Sequence, residues 1–387
     1  MTVASTVVAR SLHDRLADIL AAPLGLPSDV TGLLDVVARL PALVEDAPHA
    51  AAKTALSHLA ASGLLQYAVP QAGAESAFVP RLCVLRAALG YLSPLYDLMF
   101  AMQGLGSYGA IRSGSAPAGF VEGVVSGDAI CGIGLTEPGA GSDVSQIATR
   151  AERTGEGGYR IDGDKVFISN AGVATHLVLY ARTDAHPKKG LTAFLLPMDT
   201  PGVTVEPMQL LCDDHVIGRV LLHGVCVPDA ARLGAEGQGM TLAMQTLEVF
   251  RPTVGAAAVG MARRALDEAI DYSQRRQQFG QALSSFQATQ LALAEMATDC
   301  EAAALLVQRA AQLASDGQPL GSRSSMAKLF ATEAAQRVVD RAVQLGGGQA
   351  LIRGHVLERL YRDVRALRIY EGTSEIQKLI ISRHLLR

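Results

Sequence analysis

The chain has 387 residues, of which 49% are hydrophobic and 18% are charged, and its net charge is −3. This balance is typical of a folded globular protein, and a chain of this length usually forms more than one core, so we expect two or three subdomains. Acidic and basic residues are mixed along the chain, which argues against a nucleic-acid-binding or membrane-binding surface.

The sequence also carries information on compartment and metal binding. Arg10 and Arg15 interrupt the first residues before a signal-peptide core can form, and no apolar run is long enough to span a bilayer. The five cysteines form no CxxC pair, and the nine histidines show no HExxH spacing. We therefore expect a cytoplasmic protein with reduced thiols and no metal site.

The chain divides into three segments that differ in residue composition and in predicted secondary structure. Residues 1–128 predict an N-terminal domain of short helices, with apolar residues at helical spacing near the start and a strongly apolar stretch from Leu82 to Gly106 that fits one or two buried helices. The early helical positions are Leu12, Leu16, Ile19 and Leu20.

Residues 129–233 predict a central β domain. Short β-rich runs, such as Val166–Ile168, Leu177–Tyr180 and Ala193–Leu196, alternate with turn signals such as Asp199–Gly202. Strands of this length and spacing favour a small sandwich or barrel.

Residues 234–387 predict long helices. Pro252 is compatible with the first turn of one helix, and the stretch from Ser284 to Asp316 predicts another of about 45 Å. Because alanine and glycine on these faces permit close antiparallel packing, we expect a C-terminal four-helix bundle. The fold class is therefore mainly α with a central β domain.

Glu371 is the candidate catalytic residue. It precedes Gly372 at a break between two helical segments, where Thr373 or Ser374 can cap the second helix. A glutamate beside a helix start is more often a solvated first-turn residue, so the assignment depends on other stretches of the chain.

A second candidate is the loop Gly134–Asp143, with the sequence GLTEPGAGSD. Its backbone N–H groups and hydroxyls are suited to a phosphate or a flavin edge, although the pattern is weak when taken alone. It is not a Rossmann fingerprint, because the third glycine and the following helix are missing.

Together with four further motifs, this loop resembles the acyl-CoA dehydrogenase family in order and spacing over residues 129–387. The helix–sheet–helix layout is also that of the family. The further motifs are Phe167–Asn170, Arg276–Gly280, Gln344–Gly348 and Tyr370–Gln377.

The resemblance implies an FAD-dependent oxidoreductase that converts an acyl thioester into the trans-2-enoyl thioester. This chemistry needs a carboxylate with a raised pKa, hydrogen bonds to the thioester carbonyl and a flavin beside the β-carbon. Glu371 matches the family's usual base. Some members place the base immediately before an arginine that matches Arg251, and Phe250 in that place cannot serve.

The resemblance also implies a set of binding residues, some of which would act across a subunit boundary in a dimer or tetramer. Arg251, Tyr370, Ser142 and Glu371 are expected at the substrate. The residues expected at FAD are Leu135, Thr136, Gly141, Ser142, Phe167, Ser169, Arg276, Phe279, Gln344, Gly348 and Thr373.

Departures from the family pattern affect the expected substrate more than the reaction. Pro70–Ser76 and Leu211–His215 differ where acyl and pantetheine groups are expected, so an acyl-carrier protein is as credible as CoA, and a branched or cyclic acyl group as a straight one. An electron-transfer flavoprotein is the expected electron acceptor. The alternatives are a flavin monooxygenase or oxidase on the same fold, which usually lacks this glutamate, and a non-catalytic helical binding protein.

Overall fold

The computed structural model describes residues 12, 14, 15, 30–43, 47–155, 157–186, 189–212 and 215–386. Leu12 is helical, as predicted, whereas Leu16, Ile19 and Leu20 lie outside the described residues. Within the described part of the chain, no helix combines the length and the apolar character that crossing a bilayer requires.

Within the described residues, five complete helices precede the sheet, in addition to helical residues 12, 14 and 15. Two of them, α3 and α4, cover the apolar stretch predicted to hold one or two buried helices, and Pro94 starts the second one at a position where a missing N–H costs nothing. The helices are α1 (Val30–Ala38), α2 (Pro48–Ala61), α3 (Glu75–Leu92), α4 (Pro94–Arg112) and α5 (Phe120–Ser126).

The central sheet has eight strands. The strand order is β6-β7-β3-β2-β4-β5-β8, and β1 runs parallel to β4 on the side of β4 where β2 pairs. The strands are β1 (Cys131–Gly134), β2 (Arg150–Arg153), β3 (Gly158–Ser169), β4 (His176–Arg182), β5 (Leu191–Pro197), β6 (Val203–Met208), β7 (Ile217–Pro228) and β8 (Arg232–Leu233).

The sheet folds over its own apolar core. Tyr159 of β3 and Phe194 of β5 are fully buried, and their ring centroids lie 4.9 Å apart at an edge-to-face angle of 69°. Strands that are not neighbours in the sheet therefore pack against each other, which agrees with the predicted sandwich or barrel.

The C-terminal segment is helical, with one small hairpin of β9 and β10. The first helix, α6, has 37 residues, which corresponds to about 55 Å. The elements are α6 (Gly239–Arg275), β9 (Gln277–Gln278), β10 (Gln281–Ala282), α7 (Gln287–Ser315), α8 (Ser322–Gly346), α9 (Val356–Leu367) and α10 (Ser374–Leu385).

The predicted fold class is confirmed: along the chain, helices precede and follow the strands of a central sheet. Buried residues of the N-terminal and C-terminal helices belong to one apolar core, while the sheet has its own. The boundaries at 128/129 and 233/234 stay predictions. The strands themselves run from Cys131 to Leu233.

The prediction for Pro252 was wrong. It lies buried inside α6, which begins at Gly239, and not in the first turn of a helix. A proline in a helix interior removes one hydrogen bond and costs about 3 kcal/mol. Burial of Phe250 and Val254 on either side of it offsets this cost, an effect of tertiary packing that local sequence does not reveal.

Two glycines allow α3 and α6 to cross closely. A Cβ atom at Gly260 would overlap the carbonyl oxygen of Ala87 and come within 2.9 Å of the Tyr91 nitrogen. At Gly90 on the facing helix, a Cβ atom would lie 2.9 Å from the Ala257 carbonyl oxygen. The two helices therefore contact each other through backbone atoms. Rotation of a side chain cannot make room for an added Cβ atom.

We expect Gly260→Ala to lower the free energy of unfolding by about 1–3 kcal/mol, because the added methyl group forces the two backbones apart. Urea unfolding followed by circular dichroism measures this change. Gly32→Ala in α1 is the matched control, since a Cβ atom there meets nothing within 4 Å, and it should be neutral or stabilising by up to about 1 kcal/mol. Equal effects at the two glycines would contradict the close crossing.

Candidate functional site

Glu371 lies in a tight turn between α9 and α10. The Thr373 side chain caps α10 by accepting a hydrogen bond from the N–H of Ile376 at 3.4 Å. Glu371 has φ +52° and Gly372 has φ +90°, so both are in the left-handed region. For a glutamate this conformation costs about 1–2 kcal/mol, and strain of this kind concentrates at functional sites.

The turn is held by side chains from two helices. Gln377 Nε2 donates to the carbonyl oxygens of Glu371 and Gly372 at 3.2 and 2.8 Å, and Lys328 Nζ of α8 donates to the Gly372 oxygen at 2.8 Å. A Cβ atom at Gly372 would come within 2.6 Å of Gln377 Nε2. Only glycine therefore fits this position with the clamp in place.

The carboxylate of Glu371 is buried even though the residue as a whole is half-buried. Its Oε2 atom is shielded from solvent and has no hydrogen-bond partner among the described residues. Burial raises the pKa of Glu371, and the charges of Arg86, Lys328 and Arg251 act in the opposite direction. A buried carboxylate with a raised pKa and one oxygen that makes no hydrogen bond has the properties required of a general base.

Each of the three cations near this carboxylate is constrained differently. Arg86 is buried and pairs with Asp97 through two bonds of 2.8 Å, and its Nη1 donates to Thr253 Oγ1 at 2.9 Å. Burial lowers the pKa of Lys328 to about 8. The Nε atom of Arg251 is buried and has no partner in the described part of the chain.

Of the charged groups around Glu371, Arg251 could be predicted from the sequence, whereas Arg86, Asp97 and Lys328 were not predicted. Lys328 interrupts an otherwise small and apolar face of α8, formed by Ala327, Ala331 and Ala335. Arg86 does the same in α3. A charged residue within an apolar helix face is a signal that could have drawn attention to both positions.

Phe250 precedes Arg251, at the position where some members of the family place the base. Its ring is fully buried and lies 5.7 Å from Tyr108 and 6.5 Å from Phe78, in edge-to-face arrangements. Tyr370, the other predicted pocket residue, is half-buried next to Glu371, and burial raises the pKa of its phenol.

A buried ion pair holds the loop Gly134–Asp143 in place. Glu137 lies 2.7 Å from Lys165, and its carboxylate also accepts the N–H groups of Ala148 and Thr149 at 2.6 and 3.0 Å. Lys165 is 0% exposed, and burial lowers its pKa to about 8. The backbone groups of the loop are therefore held in one arrangement.

Phe167 lies beside this loop in an irregular part of β3. The register between β3 and β7 shifts between Lys165 and Ile168, and Phe167 has φ +58° within this bulge. Its side chain is 55% exposed. The N–H of Val166 donates to the Thr136 oxygen at 3.0 Å, so the structure brings Leu135, Thr136 and Phe167 together.

The remaining loop residues leave space for a planar ligand. Gly141 and Ser142 are exposed, Ser169 is half-buried at the end of β3, and a Cβ atom at Gly139 or Gly141 would meet nothing within 4 Å. An exposed aromatic face next to an open, glycine-lined backbone fits a flavin ring system.

Another group of predicted residues lies far from Glu371 within the chain. Arg276 follows α6, 25 residues after Arg251, which corresponds to about 37 Å along the helix. Gln344 lies 16 residues after Lys328 on α8, or about 24 Å away. Both are exposed, as is Gly348. One chain therefore does not place these residues at the Glu371 turn.

Phe279 stands at the tip of the hairpin that follows Arg276. It has φ +51°, followed by Gly280 at +80°, which is the backbone of a tight two-residue hairpin turn. Its side chain is 92% exposed, with Phe286 6.3 Å away between ring centroids. A strained hairpin that projects an aromatic ring into solvent is suited to contact another molecule.

Comparison with known proteins supports the resemblance seen in the sequence. Residues 132–217 match the acyl-CoA dehydrogenase middle domain, and residues 237–386 match the acyl-CoA dehydrogenase C-terminal domain. The mitochondrial short-chain specific acyl-CoA dehydrogenase of Homo sapiens is 41% identical over 265 residues, which cover 68% of this chain and 64% of the human protein.

Two further relatives extend this comparison. Subunit CarC of the caffeyl-CoA reductase–Etf complex of Acetobacterium woodii is 37% identical over 276 residues, covering 69% of this chain and 71% of that protein. The structure of a glutaryl-CoA dehydrogenase from Mycobacterium smegmatis in complex with FADH2 superimposes with a TM-score of 0.79 at 25% identity, covering 97% of this chain and 93% of the other.

We expect Lys165→Met to lower the free energy of unfolding by about 3–5 kcal/mol, because it leaves the Glu137 carboxylate buried without its cation. The double variant Glu137→Gln/Lys165→Met should recover much of this loss, since glutamine keeps an oxygen acceptor for Ala148 and Thr149 but carries no charge. Urea unfolding of the three proteins measures both effects.

Arg337→Met is the control, because it breaks an exposed pair with Asp299 of the same 2.7 Å length. Its cost should stay below about 1 kcal/mol. If Lys165→Met costs no more than this control, the ion pair does not fix the loop.

Proposed function

The chain belongs to the acyl-CoA dehydrogenase family, and from this premise we propose that it is an FAD-dependent oxidoreductase that introduces a double bond between Cα and Cβ of an acyl thioester. The observation that carries the proposal is the buried Oε2 atom of the Glu371 carboxylate, which lacks a hydrogen-bond partner among the described residues. In this mechanism the carboxylate removes the α-proton. FAD, when bound, would supply the acceptor for the hydride that leaves the β-carbon.

The residues of this chain fit a flavin at the Gly134–Asp143 loop. Leu135, Thr136, Gly141 and Ser142 would offer backbone N–H groups and hydroxyls to its edge, with Ser169 nearby, while Phe167 would cover one face. The exposed ring of Phe167 beside Thr136 supports this assignment. Because the Glu137–Lys165 pair fixes the loop, these groups need little rearrangement on binding.

Glu371 has the electrostatic environment that proton abstraction from carbon requires. Desolvation raises its pKa, and the charges of Arg86, Lys328 and Arg251 act in the opposite direction by favouring the carboxylate. The left-handed turn fixes the direction of the side chain. In the reverse reaction the same group would return the proton to Cα, so the site is equally compatible with reduction of an enoyl thioester.

The backbone of the turn offers a hydrogen-bond donor for the substrate. Among the described residues, no backbone carbonyl accepts the N–H of Glu371. That N–H is therefore available to donate to the thioester oxygen, where negative charge develops as the α-proton leaves. Tyr370 would line the pocket beside the base, and Arg251 would support the base through its charge.

We propose that a second subunit completes the cofactor site. Arg276 and Gln344 lie about 37 and 24 Å along α6 and α8 from Arg251 and Lys328, Phe279 and Gly348 follow them in the chain, and all four residues are exposed. Residues so far from their own base can serve the ADP half of FAD bound to a neighbouring chain. The proposal implies at least a dimer, with a tetramer expected, and the projecting Phe279 ring supports an interface.

The acyl carrier and the electron acceptor are also proposed. The substrate is an acyl-CoA or an acyl group on a carrier protein. Thr373, at the end of the turn beside the base, belongs instead with the residues proposed to contact FAD. An electron-transfer flavoprotein would reoxidise the cofactor. The similarity to a CoA-ester reductase subunit from a complex with Etf supports this partner.

Glu371→Gln is expected to slow reduction of the flavin by acyl thioesters by about 10²- to 10⁴-fold, because glutamine keeps the shape of the side chain but cannot accept the α-proton. Anaerobic mixing of the FAD-loaded protein with a panel of acyl-CoAs, followed by the loss of flavin absorbance, measures this rate.

Glu375→Gln is the matched control, since Glu375 is an exposed first-turn carboxylate of α10, and it should bleach at the wild-type rate. Bleaching of the Glu371→Gln protein at that same rate would remove Glu371 as the base. If no acyl thioester reduces the wild-type flavin but the reduced protein consumes oxygen rapidly, the oxidase or monooxygenase alternative is correct.

The pH dependence of kcat/KM should report the ionisation of Glu371 in the free enzyme. Activity should rise with pH through its pKa, which lies above the ordinary glutamate value. Lys328→Met removes one of the charges that lowers this pKa, so the rise should move to higher pH and kcat/KM should fall several-fold on the acidic side. Above about pH 8, where Lys328 itself loses its proton, the difference from wild type should shrink.

Lys378→Met removes the same charge from the exposed surface of α10 and should leave the pH profile unchanged. Identical profiles for wild type and Lys328→Met would show that Lys328 does not act on the ionisation of the base.

A further inference from the structure

Three side chains that can bind a metal ion meet where the segment between β6 and β7 contacts α9. Cys212 Sγ, a ring nitrogen of His215 and a carboxylate oxygen of Asp363 all lie within 4.8 Å of one another. The distance from His215 Nε2 to Asp363 Oδ1 is 3.6 Å. Cys212 and Asp363 are 5% and 7% exposed, and the His215 side chain is 12% exposed.

These distances agree with a shared metal ion. Bonds of about 2.0–2.3 Å in a tetrahedral arrangement place two ligand atoms about 3.3–3.7 Å apart. The histidine and aspartate atoms already have this separation. For the thiol, the upper bound of 4.8 Å leaves a movement of about 1 Å, which rotation of its side chain supplies.

The ligands come from two elements of different domains. Cys212 and His215 are separated by two residues just before β7, while Asp363 lies on α9. The two elements are already in contact, since the Cys212 thiol donates to the Arg362 carbonyl oxygen at 3.2 Å. The sequence pointed to no metal site because only two of the three ligands are close in the chain.

The nearest cationic side chain does not exclude a metal ion. Arg362, next to Asp363, donates to Glu358 Oε1 at 2.7 Å and to the Leu211 carbonyl oxygen at 3.4 Å. The carboxylate of Glu358 offsets the guanidinium charge. A thiolate together with the Asp363 carboxylate then carries enough negative charge for a divalent cation.

We propose that Cys212, His215 and Asp363 bind one divalent transition-metal ion, with Zn²⁺ preferred, and that this ion ties the sheet to α9. A thiolate and an imidazole favour Zn²⁺ over Mg²⁺ or Ca²⁺, which prefer oxygen ligands alone. Three protein ligands leave one tetrahedral position for water or an exogenous ligand. Because α9 leads directly into the Glu371 turn, the ion would also restrain the helix before the base.

Metal content of the FAD-loaded protein tests the proposal. After removal of metals with a chelator, equilibrium dialysis against Zn²⁺ should give one equivalent per chain. Co²⁺ should give tetrahedral d–d absorption in the red, where oxidised flavin does not absorb, and thiolate-to-Co²⁺ charge transfer in the near ultraviolet, measured as a difference from the metal-free flavoprotein. Cys212→Ser, His215→Gln and Asp363→Asn should each lose stoichiometric Zn²⁺ binding. The Co²⁺ charge-transfer absorption should disappear in Cys212→Ser.

Cys226→Ser is the matched control, because Cys226 is an exposed thiol on β7 outside the cluster, and it should keep one equivalent of Zn²⁺. Zn²⁺ should raise the midpoint of thermal unfolding of wild type but not of Cys212→Ser. Circular dichroism checks that each variant is folded. Less than stoichiometric binding by wild type, or equal binding by folded Cys212→Ser, would overturn the proposal, and neither outcome depends on catalytic activity.

Discussion

The left-handed conformation of Glu371 is the constraint on which the candidate site depends. A chain leaving α9 in ordinary helical geometry would continue along the helix axis, and the glutamate would point outward as most first-turn carboxylates do. Two successive residues with positive φ reverse the chain instead and bring the carboxylate among α3, α4, α6 and α8. The burial of the carboxylate, the raised pKa and the direction of the side chain all follow from this reversal.

The cost of that conformation is offset by the elements around it. Gln377 and Lys328 bind the two carbonyl oxygens that the turn exposes, and Ser374 donates to Glu333 at 2.6 Å, which also pairs with Arg368 at 2.8 Å. Both ends of the turn are thereby attached to α8. A buried carbonyl without a donor would cost about 1–3 kcal/mol, so these bonds are comparable in size to the strain they offset.

Much of the fold could be predicted from the sequence because it depends on local periodicity. The strands at Val166, Leu177 and Ala193 and the long helix from Gln287 to Ser315 lie where apolar spacing indicated them. The error at Pro252 has the opposite cause. At this position the preference of proline for the first helical turn favours a helix start. The helix nevertheless continues past Pro252, because the residues on both sides of it are buried.

The same distinction applies to the site. Glu371 and the loop Gly134–Asp143 could be proposed as site residues from the sequence, because each forms part of a contiguous motif. The positions of Arg86, Asp97 and Lys328 around Glu371 result from the packing of three helices, and no short stretch of sequence contains that information. The grouping of Cys212 with Asp363 depends in the same way on how the sheet meets α9.

The charges around Glu371 do not act as three equal cations. Arg86 forms a buried pair with Asp97, and the Asp97 charge itself raises the pKa of Glu371, so Asp97 offsets part of the larger effect of Arg86. Lys328 can release its own proton near pH 8, whereas Arg251 stays charged but leaves its buried Nε atom unpartnered among the described residues. The ionisation of the base is therefore set by burial, which favours the protonated acid, against the charges of Arg86, Lys328 and Arg251, which favour the carboxylate. Because these contributions oppose one another where charges are poorly screened, small changes in packing around α8 should alter the proton affinity of Glu371 more than the position of its carboxylate.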